Sequence, residues 1–131
     1  MKQLTILLPL FFYVSASAQK LSPALQSLVN AENGFAMASR NSDTRSAFLS
    51  NLAGDGIVFS KGSPVNGKEL WGKRDPNNSL LFWWPVYADI SAAGDFGYTT
   101  GPFEWSKSRS DTATAFGYYS SVWKKDVKAL H

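Results

Sequence analysis

The sequence predicts an α+β domain in which N-terminal helices pack on an antiparallel sheet. Two observations predict it. Apolar residues recur at helical spacing after Ser22-Pro23, and from Leu80 onward the chain consists of aromatic and β-branched runs separated by short turn-rich segments. Helices first and strands afterwards is the order of an α+β fold. The chain has 131 residues and no cysteine. One small domain, Gln19 to His131, is therefore expected to hold together by packing alone, without disulfides, thiol nucleophiles or thiolate metal sites.

Each element has its own signal. Ser22 is a suitable N-cap and Pro23 suits the first helical position, with Leu25, Leu28, Val29, Phe35 and Ala36 forming one stripe. Asn41, Ser42 and Asp43 end that helix and cap a second one carrying Ala47, Phe48, Leu49 and Leu52. Asp55-Gly56 turns the chain into a strand at Ile57-Val58-Phe59. Gly62 to Gly67 reads as a loop, and Lys68 to Gly72 as a short helix presenting Leu70 and Trp71. Leu80 to Ser91, Phe96 to Trp105 and Thr114 to Lys125 read as three strands, joined by hairpin connections at Ala92 to Asp95 and Ser106 to Asp111. Pro85 and Pro102 cannot donate a ladder bond, so bulges or edge positions are expected there. The expected core is Leu28, Val29, Phe35, Phe48, Leu52, Val58, Phe59, Val86, Ile90, Phe116 and Val122.

Several short motifs act together: Asp55-Gly56-Ile57-Val58-Phe59, Gly62-Ser63-Pro64-Val65-Asn66-Gly67, the run Gly94 to Trp105, and Gly117-Tyr118-Tyr119-Ser120-Ser121-Val122-Trp123. Over roughly residues 22 to 125 the pattern resembles the nuclear transport factor 2-like superfamily, which includes SnoaL-like polyketide cyclases and steroid isomerases. The resemblance implies a curved antiparallel sheet wrapped around helices and enclosing a conical pocket. Relatives usually add one more strand, with a Trp and an acidic residue, after the Trp-Lys-Lys turn. Here Val127 to His131 follows instead, so the domain is expected to be C-terminally truncated, with an exposed sheet edge beside Thr114 to Lys125 that invites self-association as a homodimer.

The N-terminus points to export. Lys2 precedes the apolar run Leu4 to Val14, and Ala16-Ser17-Ala18 offers a small-x-small cleavage site, the layout of a signal peptide covering residues 1–18. The apolar run is too short to cross a bilayer, which needs about 20 residues. A secreted or periplasmic domain, with no membrane attachment after cleavage, is expected. Basic residues are scattered apart from Lys124, Lys125 and Lys128, so no nucleic-acid footprint is expected. Asn77-Asn78-Ser79 fits a glycosylation sequon, relevant only in a eukaryotic secretory pathway.

The chemical inventory is narrow. The single His is the C-terminal residue, which argues against Ser-His-Asp and Cys-His nucleophiles and His-rich metal sites. No phosphate loop occurs, and neither a metal nor a cofactor is expected. What remains is carboxylates and tyrosines among aromatics. Glu32 lies inside the apolar stripe of the first helix, where a carboxylate must be hydrogen-bonded, paired or protonated. The plainer reading of Glu32 is structural. Strand alternation puts Tyr98 and Glu104 on one face, with Tyr118 across from them. With Trp84 they form the expected ligand pocket between sheet and first helix, with Glu104 the best candidate base and Tyr98 or Tyr118 the donor. Glu104 facing solvent, or pairing with Arg74 or Arg109, is the plainer reading. The expected function is a secreted domain binding a small apolar or carbonyl-containing molecule. A cofactor-independent lyase or isomerase is the alternative.

Overall fold

The computed structural model describes residues 20–126, so the expected signal peptide and the segment 127–131 lie outside the described residues. Within them the order is α1 (Pro23–Asn41), α2 (Thr44–Asn51), β1 (Ile57–Ser60), β2 (Ser63–Asn66), α3 (Gly67–Gly72), β3 (Leu80–Trp83), β4 (Tyr87–Ile90), β5 (Phe96–Ser106) and β6 (Ala115–Lys124). The protein is α+β with antiparallel sheets that do not close into a barrel.

Caps set the helices as the sequence indicates. The Ser22 hydroxyl accepts from the Leu25 N–H at 3.2 Å, and the Asp43 carboxylate accepts from the Ser46 N–H at 2.7 Å. The bonds from Ser46 hold the Asp43 carboxyl below its ordinary value. At the other end of α1, Arg109 from the β5–β6 connection donates to the Ser39 carbonyl at 3.0 Å and also to that of Arg40. A guanidinium there satisfies orphan carbonyls and suits the negative end of the helix dipole.

The segment expected as a loop at Gly62 to Gly67 is instead mostly strand. β1 and β2 form a hairpin whose turn residues, Lys61 (φ 51°) and Gly62 (φ 80°), both sit in the left-handed region. That is the turn whose twist matches two-residue hairpins, and Pro64 is tolerated because each strand of a two-stranded sheet is an edge. The expected strand Leu80 to Ser91 is broken at Pro85 into β3 and β4, which lie end to end along one edge of β5. Trp83 pairs with Phe103 and Tyr87 with Thr100, so Trp84, Pro85 and Val86 face only Gly101 and Pro102, which is a bulge. β6 runs the length of the other edge of β5, from Ala115 opposite Trp105 to Lys124 opposite Phe96.

α1 lies across one face of the four-stranded sheet. Phe35 meets Trp83 edge-on at 4.7 Å and Phe48 at 4.8 Å, with Ala36 and Ala47 buried beside them. Ser39 donates to the Leu81 carbonyl at 2.6 Å, while the Thr44 hydroxyl accepts from the Leu81 N–H at 3.2 Å. The two hydroxyls thereby pin β3 to both helices.

The core departs from expectation in which sheet face it uses. Leu28 and Phe35 are buried, and Val29, Phe48, Leu52, Val58 and Ile90 are half-buried. Phe59 (77% exposed), Val86 (65%), Phe116 (70%) and Val122 (67%) are not core residues. The face against α1 carries Gly97, Thr99 and Gly101, all buried, with Tyr119 and Trp123 from β6. The reason is steric. A Cβ on Gly97 would lie 2.7 Å from Leu28 Cδ2, and one on Gly101 would lie 2.0 Å from the Trp84 carbonyl oxygen. α1 and the bulge approach so closely that only the glycine-bearing face fits beneath them.

Candidate functional site

Glu32 is fully buried between α1 and the sheet. Its Oε1 accepts from Trp83 Nε1 at 2.5 Å, and its Oε2 accepts from Thr99 Oγ1 at 2.7 Å and Trp123 Nε1 at 2.6 Å. Three short bonds from β3, β5 and β6 converge on one carboxylate, which ties three strands to the helix. This is a structural hub: Glu32 is fully buried, lines neither described cavity, and its donors are held in the core. Next to it Tyr119 has a buried hydroxyl with no hydrogen bond of acceptable geometry. Burial pushes that hydroxyl up to about 12, with Thr99 opposing and the Glu32 carboxylate reinforcing the shift.

The space between sheet and α1, where the sequence places a ligand pocket, is filled by Phe35, Trp83 and Trp123 around Glu32. The four expected pocket residues lie elsewhere. Tyr98 (39% exposed) and Tyr118 (80%) are on the opposite face of the sheet, and Glu104 shares that face half-buried. Trp84 (40% exposed) belongs to the bulge, its ring 5.9 Å from Phe82. Register separates them further, since Tyr98 pairs with Val122, Pro102 with Tyr118 and Glu104 with Phe116. Tyr98 contacts Tyr87 at 5.9 Å, and a hydrogen bond with Tyr87 raises its hydroxyl above the ordinary value. No described cavity joins a carboxylate to these hydroxyls. Of the two proposed partners for Glu104, Arg109 serves the end of α1 and Arg74 lies over the Trp71 ring at 4.2 Å.

The structure does assemble a cleft that the sequence did not reveal. It has a volume of about 220 Å³ and opens between α2, the connection after α3, and the ends of β3 and β5. Trp71 and Trp105 supply its aromatic walls and Arg45 and Arg74 its guanidinium groups, with Asp75 at the margin. Each wall is braced. Trp71 stacks on Phe48 at 4.0 Å, the Arg74 guanidinium lies over the Trp71 ring at 4.2 Å, and Arg45 donates to the Gly72 carbonyl at 3.1 Å. Arg45 Nε is buried and has no partner. A shallower groove of about 170 Å³ beside the start of α1 is lined by Ala24, Leu28, Ala31, Gly94 and Gly97 among others, and offers little to orient a ligand. Among the described residues no three His, Cys, Asp or Glu side chains gather where a metal could bind.

Nothing local marks this cleft in the sequence, because its residues come from three separated stretches, 44–45, 71–81 and 105. The available hint was a pair of tryptophans, Trp71 and Trp105, with arginines placed to join them only after folding. Compared with known proteins, the chain matches no family model, no curated protein and no solved structure.

Proposed function

We propose that this domain binds a small organic anion with a planar apolar body in the Trp71–Trp105 cleft. The observation that carries the reading is a cleft lined by two arginines, Arg45 and Arg74, together with the indoles of Trp71 and Trp105. A guanidinium favours a carboxylate or similar oxyanion. With two arginines against Asp75, the cleft carries a net positive charge for such a ligand. Its volume falls below the roughly 300 Å³ of ordinary ligand sites, so a single-ring molecule is the fitting size. The polar requirement sharpens the sequence-based expectation of an apolar or carbonyl-containing ligand. The nuclear transport factor 2-like architecture and export through cleavage before Gln19 belong to the same reading. Helices preceding a sheet, one of them across its face, support the first.

Benzoate is the probe, with benzamide as its uncharged counterpart. At about 0.5 kcal/mol per non-hydrogen atom, benzoate should bind with a Kd of about 0.1–1 mM. In indole-resolved NMR spectra the Trp71 and Trp105 signals should shift while those of Trp83 and Trp123, locked on Glu32, stay still. Benzamide should bind at least several-fold more weakly, as should benzoate to Arg74→Gln. Equal binding of the two probes, or shifts at Trp83 and Trp123 alone, would refute the assignment.

A further inference from the structure

The two long edges of the four-stranded sheet are treated differently. On the β3–β4 side, the bulge at Trp84–Val86 interrupts the edge, and both polar groups of Leu81 are taken by Ser39 and Thr44. Among the described residues the β6 side has no such cover: there β6 pairs with β5 alone. The Lys125 N–H bonds the Asp95 carbonyl, and the Tyr119 carbonyl accepts from Thr100 Oγ1, so odd-numbered residues turn their backbone polar groups toward β5. By strand alternation, Phe116, Tyr118, Ser120 and Val122 turn theirs to the open edge. Edge strands are ordinarily blunted by proline, inward charge or a bulge. From Ala115 to Val122 this strand has none of them.

We propose that this edge pairs with β6 of a second copy of the chain, the strands running antiparallel about a two-fold axis at Ser120. In that register Tyr118 faces Val122 of the second copy, an aromatic–β-branched pair of the kind that stabilises sheets. Charge selects the arrangement. The edge is neutral until Lys124, and the two-fold places Lys124 of the second copy beside Phe116. On β5 the residue opposite Phe116 is Glu104, on the same outer face. The positive end of each strand thus meets the acidic end of its neighbour, and no like charges face one another. The pairing would join two four-stranded sheets into one and set Phe116 (70% exposed), Tyr118 (80%) and Val122 (67%) beside side chains of the second copy. The cleft at Trp71 is not involved, so ligand binding and association can fail independently.

Sedimentation equilibrium of the purified protein should show a dimer that dissociates on dilution. Ser120→Lys would place two ammonium groups opposite each other at the axis, and should raise the dimer dissociation constant about tenfold or more while circular dichroism stays unchanged. Because the chain lacks cysteine, Ser120→Cys should form an intermolecular disulfide under mild oxidation, whereas Ser50→Cys on exposed α2 should not. A monomer at every concentration would overturn the proposal and leave the edge to some other strand. A dimer indifferent to Ser120→Lys, or equal crosslinking from both cysteine variants, would overturn it as well.

Discussion

The two faces of β5 and β6 follow opposite compositional rules. The outer face carries Tyr98, Phe116, Tyr118 and Val122, and leaves them 39–80% exposed. The inner face carries Gly97, Thr99, Gly101 and Gly117, interspersed with Tyr119 and Trp123, and it is the one α1 covers. Hydrophobic content does not separate these faces, because the inner one also carries Phe103, Tyr119 and Trp123 against the core. Close approach and polar satisfaction decide instead. Glycine lets the helix backbone and its Leu28 side chain come near, and Thr99 and Trp123 present the donors that the buried Glu32 needs.

The largest effect belongs to Glu32. Glu32→Ala leaves the Trp83, Thr99 and Trp123 donors buried and unpaired, and should cost about 3–5 kcal/mol in urea-unfolding experiments. A loss under about 1 kcal/mol would mean that the hub contributes little and the face assignment has another cause.

A paired substitution sharpens the comparison. Gly101→Ala on the inner face forces a methyl group into the Trp84 carbonyl and should cost about 2–3 kcal/mol. Phe116→Ser on the outer face should change stability by no more than about 0.5 kcal/mol when measured at a dilution where the protein is monomeric. Comparable losses at the two sites would erase the distinction between the faces.

The smallest effect should come from Tyr119, and only at high pH. Its folded-state value of about 12 exceeds the ordinary 10.0, so the folded form keeps the proton more tightly. The resulting stability is present below about pH 10 and is lost as pH rises toward 12. Since its hydroxyl has no partner, Tyr119→Phe should be neutral or slightly stabilising at pH 7. Above pH 10 the variant should gain on the parent in thermal melts. A constant difference across that range would show that Tyr119 does not titrate as a buried group.

Much of the fold was legible locally. Ser22-Pro23 and Asp43 start their helices where the capping chemistry indicates, and Asp55-Gly56, Pro85 and the hairpin connections mark real breaks. The β2 strand was missed because a positive-φ turn at Lys61-Gly62 looks, in sequence, like the start of a loop. Glu32 was legible as a carboxylate inside an apolar stripe, although its three donors, from Trp83 to Trp123, are distant in sequence. The cleft was not legible. Arg45, Trp71, Arg74 and Trp105 acquire meaning only once α2, α3 and β5 are brought together.

The sequence by itself determined the α+β class, the helix boundaries, the alternation along β5 and β6, and the need for a polar partner at Glu32. Only the tertiary structure decided which of the two alternating faces turned inward. Alternation divides a strand into two faces without saying which is buried, and the choice depends on how closely the covering helix can approach. Here a helix with a carboxylate at its centre had to reach two indoles and a hydroxyl, and only the face with glycines between those donors let it come close enough.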